Sequence, residues 1–146
     1  DDLRTDIPTQ VVDTGAAHLL VPAVDRDAVD RARPDAFALR AELHTADAEG
    51  CYLYSLDPLN VHATAYTRFF NPTVGIWEDP ATGTAAGPLA AHLANQGIVP
   101  KNTGTTVLVE QGYALGRPSI LMLDLSSGRV RLSGEGVVVA EGTLRL

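Results

Sequence analysis

The sequence predicts an α+β fold: a bent antiparallel sheet, barrel-like in outline, wrapped around one central helix at about residues 84–96. Three observations predict it. Ala85, Ala86, Leu89, Ala90, Ala91, Leu93 and Ala94 cover most of that helix's circumference, and a helix apolar nearly all round is buried nearly all round. β-favouring runs outnumber helical ones along the rest of the chain. The later runs are joined by short turns, which suit antiparallel neighbours. No repeat, low-complexity tract or linker interrupts the chain, so residues 1–146 read as a single domain, long enough to bury a core.

Taken in order, Asp1 to Pro8 is a polar, frayed entry. Thr9 to Asp13 reads as a short strand stopped by Thr14-Gly15, and Ala17 to Pro22 as a second strand. Glycine at position 15 permits a backbone conformation or a close ligand approach that a side chain would block; it is also an ordinary turn residue. Asp25 to Arg33 is a short surface helix with acids early and arginines late, as the helix dipole prefers. Pro34 opens another helix running from Asp35 to Thr45. Gly50 to Leu56 is a strand, Asp57-Pro58-Leu59-Asn60 a turn, and Val61 to Phe70 a long strand. In that long strand His62, Thr64, Tyr66 and Arg68 alternate with small residues, giving one polar face. Glu78-Asp79-Pro80 is an acidic turn, because the residue before proline avoids the helical region. Thr82 is a plausible N-cap of the central helix, and Gly97 with Pro100 stops it. Pro88 falls early in the helix, where its missing N–H costs least. Thr105 to Glu110, Ser119 to Leu125, Arg129 to Ser133 and Val137 to Leu146 complete the strands, with turns at Ser126-Ser127-Gly128 and Gly134-Glu135-Gly136.

Composition narrows the function. Hydrophobic content of 45% is that of an ordinary globular protein. A net charge of −7 argues against nucleic acid or an anionic membrane as partner. The single cysteine, Cys51, excludes an internal disulfide and leaves the redox compartment open, a reducing cytosol being the easier reading; in an apolar strand it reads as an inert buried thiol. No window is long and apolar enough for a membrane helix, and no secretory signal is evident, so a cytoplasmic location is expected. The chain opens at Asp1 rather than Met, which leaves open a processed product, a trimmed polypeptide or a fragment.

The chemistry gathers at the start of the central helix. Gly83 and Thr84 offer backbone N–H groups at the positive end of a helix dipole, a ready anion site that water could also fill. Asp79 stands beside it, either as a turn former or as a group that holds or relays a proton. His18 follows the Thr14-Gly15 turn and could line a cleft, although a strand histidine is more often structural. His62 sits on the polar strand face, His44 ends a helix, and His92 is placed at a polar edge of the central helix. No pair has metal-ligand spacing, so no metal is expected. No nucleophile elbow or phosphate loop is found, so no nucleotide cofactor is expected.

The run Gly75-Ile76-Trp77-Glu78-Asp79-Pro80-Ala81-Thr82-Gly83-Thr84-Ala85 closely resembles the signature of the phenazine-biosynthesis PhzF family, G-I-x-E-D-P-A-T-G-S-A. Arg68-Phe69-Phe70-Asn71-Pro72 is similar to that family's R-x-F-x-P lead-in. Gln111-Gly112 with Gly116-Arg117-Pro118-Ser119 is similar to its Q-G and G-R-P-S segments, and Thr14-Gly15 with Leu19-Leu20-Val21-Pro22 to its T-G and L-L-V-P stretch. These pieces correspond to the C-terminal half of the family's two-domain protein. The resemblance implies one half of a diaminopimelate-epimerase-like fold and cofactor-free isomerase chemistry. It implies an active-site role for Asp79, with Gly83, Thr84, Thr82, Gly15 and His18 as substrate-binding candidates; Glu78 is taken as structural. Threonine at position 84, where the family usually has serine, keeps the hydroxyl but adds a methyl that stiffens the rotamer.

The family's main acid/base glutamate and a Gly-His motif belong to its N-terminal half. Glu42, Glu49, Glu110, Glu135 and Glu141 lack the pattern around that glutamate. The resemblance therefore implies half an active site, with an apolar cleft face that seeks a partner. The expected partners are a small carboxylate substrate and a second chain carrying the N-terminal domain, or a second copy in a homodimer. The alternatives are a non-catalytic domain that binds a small carboxylate or homodimerises, and a folded piece with no independent role.

Overall fold

A computed structural model of the chain describes residues 2–101, 104–126 and 129–145. Its organising strand is β4 (Ala65–Asn71), every residue of which is buried. One edge of β4 pairs antiparallel with β3 (Gly50–Ser55). The other edge is shared. Its first half pairs parallel with β6 (Thr105–Gln111), and its last residues pair antiparallel with β5 (Ile76–Asp79). Beyond β3 come β2 (Ala17–Pro22), parallel to it, and β1 (Gln10–Asp13). Beyond β6 come β7 (Ser119–Ser126) and β8 (Arg129–Ser133), both antiparallel. Among the described residues this is one mixed sheet of eight strands.

Mixed pairing corrects the antiparallel expectation, and connection length explains it. Parallel neighbours need a crossover of a dozen or more residues. The β2–β3 crossover contains α1 (Arg26–Arg31) and α2 (Ala36–Thr45). The β4–β6 crossover contains β5 and α3 (Gly83–Asn95). The short turns lie where pairing is antiparallel.

Both short helices start on side-chain caps. The Asp25 carboxylate accepts from the Ala28 N–H at 2.7 Å and the Asp35 carboxylate from the Ala38 N–H at 2.8 Å. Asp35 is thus the cap of α2, and Pro34 precedes the helix rather than opening it. α3 is buried at Ala85, Ala86, Gly87, Pro88, Leu89, Ala90, His92, Leu93 and Ala94. It packs against β1 and β2 near one end of the sheet and against β7 and β8 at the other, so the sheet curls toward it. Leu20, Tyr52, Phe69, Val107, Val109, Leu121 and Leu123 meet it in the main core. His92 is buried against the Tyr54 ring, not at a polar edge, because the face carrying it turns into this core.

Four further expectations are corrected. Val61 to Thr64 is a turn, not strand: the Asn60 side chain and carbonyl accept from the N–H groups of His62 and Ala63, each at 2.9 Å. The polar residues of β4 do not face water; Tyr66 donates to Asp30 and Arg68 to Glu78, so each is buried with a partner. Glu78 and Asp79 end strand β5, and the bend begins at Pro80. Residues 137–145 form no strand. Val137, Val138 and Val139 are at least 80% exposed, because β propensity alone holds nothing without a paired edge. The predicted turn at Ser127-Gly128 lies outside the described residues, as does Leu146.

Candidate active site at the start of α3

β5 ends on Asp79 opposite Phe69 of β4, and Pro80-Ala81 carries the chain round into α3. Thr82 occupies the N-cap position, but its side chain does not cap the helix. Its hydroxyl donates instead to Asp79 Oδ2 at 2.6 Å. The carboxylate is the stronger acceptor of that proton, and it leaves the first helical N–H groups uncapped by Thr82. Gly83 and Thr84 at the first turn therefore present backbone donors without an intrahelical acceptor.

Asp79, Thr82, Gly83, Thr84 and Gly15 line one open cleft of about 1020 Å³, together with Thr14, Gly87, Arg129 and Leu132. Gly15 holds a φ of +126°, a conformation that suits glycine, and its N–H donates to Asp13 Oδ1 at 2.7 Å. His18 lies under the cleft rather than in its wall. It is 2% exposed, its Nε2 is 3.2 Å from Thr84 Oγ1, and its ring meets Phe69 edge-on. Burial holds its imidazole below the ordinary range, against the opposing pull of Glu49, so the ring is neutral at pH 7 and fixes the Thr84 hydroxyl. Arg129 brings a cation to the cleft from β8.

Glu78 faces the other way. It forms a bidentate pair with Arg68, at 2.9 and 2.8 Å, and Arg68 also donates to the carbonyls of Val29, Asp30 and Ala32. Both side chains are buried, at 4% and 6% exposed. Cys51 is buried too, and desolvation pushes its thiol up to about 12, which keeps it protonated and unreactive. Among the described residues no cluster of three or more His, Cys, Asp or Glu could hold a metal. No described helix is long and apolar enough to cross a membrane.

The family model for the phenazine biosynthesis-like protein PhzC-PhzF matches residues 1–142. The chain belongs to this family. It is 36% identical over 145 residues to the trans-2,3-dihydro-3-hydroxyanthranilate isomerase of Pseudomonas fluorescens, covering 95% of this chain and 48% of that protein. It is 31% identical over 146 residues to the uncharacterized isomerase YddE of Escherichia coli K12, covering 95% and 48%. A predicted epimerase from Pseudomonas aeruginosa superposes with a TM-score of 0.67 at 32% identity, over 96% of this chain and 48% of that one. A PhzF-family protein from Bacillus anthracis gives 0.73 at 23% identity, over 90% and 46%, and supports the fold alone. The PhzF-like chain thus spans about half the length of the curated relatives it matches.

Sequence reasoning missed three residues of this site in the PhzF-like chain. Gln111 is fully buried and bonds both Asp79 and Thr82. Its signal is the Gln111-Gly112 pair, which matches the family's Q-G segment but does not show what the amide bonds. Gly112, at φ +88°, is where an added Cβ would meet the Arg117 carbonyl and come within 2.7 Å of the Pro80 carbonyl. The glycine lets the end of β6 lie against the turn that carries Asp79. Arg129 gave no local signal: only the β7–β8 pairing brings it to the cleft.

Proposed function

We propose that this chain supplies one half of the active site of a cofactor-independent, PhzF-like isomerase acting on a small carboxylate-bearing substrate. The observation that carries the reading is the convergence on one cleft of Asp79, the open N–H groups of Gly83 and Thr84, and Arg129. The helix start and Arg129 hold the substrate carboxylate. A proton leaves one carbon and returns to another carbon of the same molecule, so the double bond migrates with no oxidant or reductant consumed. Asp79 assists that transfer; the principal acid/base comes from an N-terminal half, on a second chain or on the remainder of a longer polypeptide. The sheet curled about α3 is, on this reading, one of the two halves of a diaminopimelate-epimerase-like protein of the cytoplasm.

Support comes from relatives named as isomerases and from the half-length match. Native mass spectrometry of material from the source cell should reveal this sequence with a partner half, as a separate chain or within one longer polypeptide. That assembly should isomerise trans-2,3-dihydro-3-hydroxyanthranilate or a related carboxylate, with solvent deuterium entering carbon. Asp79→Asn should lower turnover by about 10²–10⁴-fold. Turnover by the variant at the wild-type rate would sink the role of Asp79. A homodimer that binds small carboxylates without turnover would replace this reading with that of a binding domain.

A further inference from the structure

Gln111 has two amide protons and a carbonyl oxygen with two lone pairs, and each of the four is used. Oε1 accepts from the Tyr52 hydroxyl at 2.9 Å and from the Thr82 N–H at 3.1 Å. Nε2 donates to the Asp79 carbonyl at 2.6 Å and to Thr82 Oγ1 at 2.9 Å. A buried amide is satisfied in this way in one orientation only. Turned over, its oxygen would face the Asp79 carbonyl and its NH₂ the Thr82 N–H, acceptor against acceptor and donor against donor. Two backbone groups of the Pro80 turn therefore fix the amide. Tyr52, held protonated by burial, completes the set.

The fixed amide turns a donor, not an acceptor, toward the Thr82 hydroxyl, so it does not compete with Asp79 for the Thr82 proton. Thr82 Oγ1 already receives Nε2–H, and it has one proton of its own to give. Asp79 Oδ2 lies 2.6 Å away and takes it. Among the described residues Asp79 Oδ1 has no such donor. We infer that Gln111 is a positioning residue: by donating to Thr82 Oγ1 it reserves the hydroxyl proton for Asp79 Oδ2, pinning that oxygen and leaving Oδ1 as the one presented to the cleft. The inference rests on the proposed function only in taking Asp79 as the working carboxylate.

The test is made on the chain itself, so failure of isomerase activity in the assembly would refute the proposed function and leave this result standing. Aspartate ¹³Cγ resonances are recorded for wild type, Gln111→Glu, Thr82→Val and the double variant. Gln111→Glu keeps an acceptor for the Thr82 N–H but removes the amide donors, so the Thr82 hydroxyl turns to the introduced carboxylate. Thr82 amide exchange should stay within about threefold of wild type. The Asp79 resonance should move as far as it does in Thr82→Val, and no further in the double variant, because both substitutions take the same hydrogen bond from Asp79 Oδ2. An unmoved resonance in Gln111→Glu overturns the inference. So does a shift that persists in the Thr82→Val background, because the new charge would then act on Asp79 directly. Wild type gives a second readout that needs no variant. Both Gln111 side-chain amide protons should exchange at least about tenfold more slowly than those of the exposed Asn95 and Gln96. Equal rates overturn the inference as well.

Discussion

Glu78 and Asp79 are adjacent carboxylates on one strand, and they have opposite surroundings. Glu78 is closed off: both oxygens are held by Arg68, whose remaining donor reaches three carbonyls at the end of α1. Asp79 is half-open: one oxygen is tied through Thr82 to buried Gln111, and the residue lines the cleft. The alternation of a strand sends neighbours to opposite faces, and that alone separates a structural acid from an available one. A carboxylate used for chemistry needs a fixed position without having all of its lone pairs taken.

Substitutions around the two acids sharpen this contrast. The largest effect on stability is expected from Arg68→Met, which leaves Glu78 buried without its partner. A loss of about 3–5 kcal/mol in urea unfolding is expected, and a loss near zero would mean that water reaches Glu78. Gly112→Ala comes next. It forces a side chain onto a left-handed backbone position and against two carbonyls, at about 2–3 kcal/mol. A crystal structure of that variant should show the Pro80 turn displaced, with Asp79 moved and Glu78 unmoved. A smaller effect is expected from pH. Burial lowers the affinity of His18 and His92 for protons, so the unfolded chain binds them more readily than the folded one. Their contribution to stability is complete above about pH 6.5 and declines as the pH falls through that value toward the folded-state range. Unfolding midpoints between pH 7.5 and 5.5 should fall with acid, and His92→Phe should flatten the slope. Asp79→Asn should have the smallest effect, within about 1 kcal/mol, because an asparagine oxygen still accepts from Thr82. Substantial unfolding of that variant would show that Asp79, like Glu78, serves the fold.

The elements most legible in the sequence were those with a local cause. A helix is expected at about Thr84 to Gln96 and α3 runs from Gly83 to Asn95, because its alanine content and the Gly97 stop are contiguous signals. β2 falls where its apolar run places it, and β8 falls at the expected Arg129 to Ser133 after its turn. The end of β5, Glu78-Asp79, reads as part of an acidic turn, since so short a run before a proline carries little strand pattern and β4 supplies its partner. The tail from Val137 shows the converse, a strong strand pattern with no partner. The same distinction holds in the cleft. Asp79, Thr82, Gly83 and Thr84 are neighbours in sequence and could be found together. Gln111 and Arg129 reach them only through β6 and β8, which one-dimensional spacing does not encode.

The strand shared by β3, β5 and β6 also has a history during synthesis. β4 emerges from the ribosome with β3 already made, but the neighbour for the first half of its other edge ends at Gln111. Until some forty further residues have followed, at roughly 5–20 residues per second, that edge has no native partner. An unpaired apolar edge of this kind invites pairing with another nascent chain. The parallel β4–β6 register also closes late, because a long loop must be ordered first. The strand that anchors the site is therefore the one whose assembly is most exposed to misfolding, and chaperone capture of nascent chains should peak while residues 71–111 are being made.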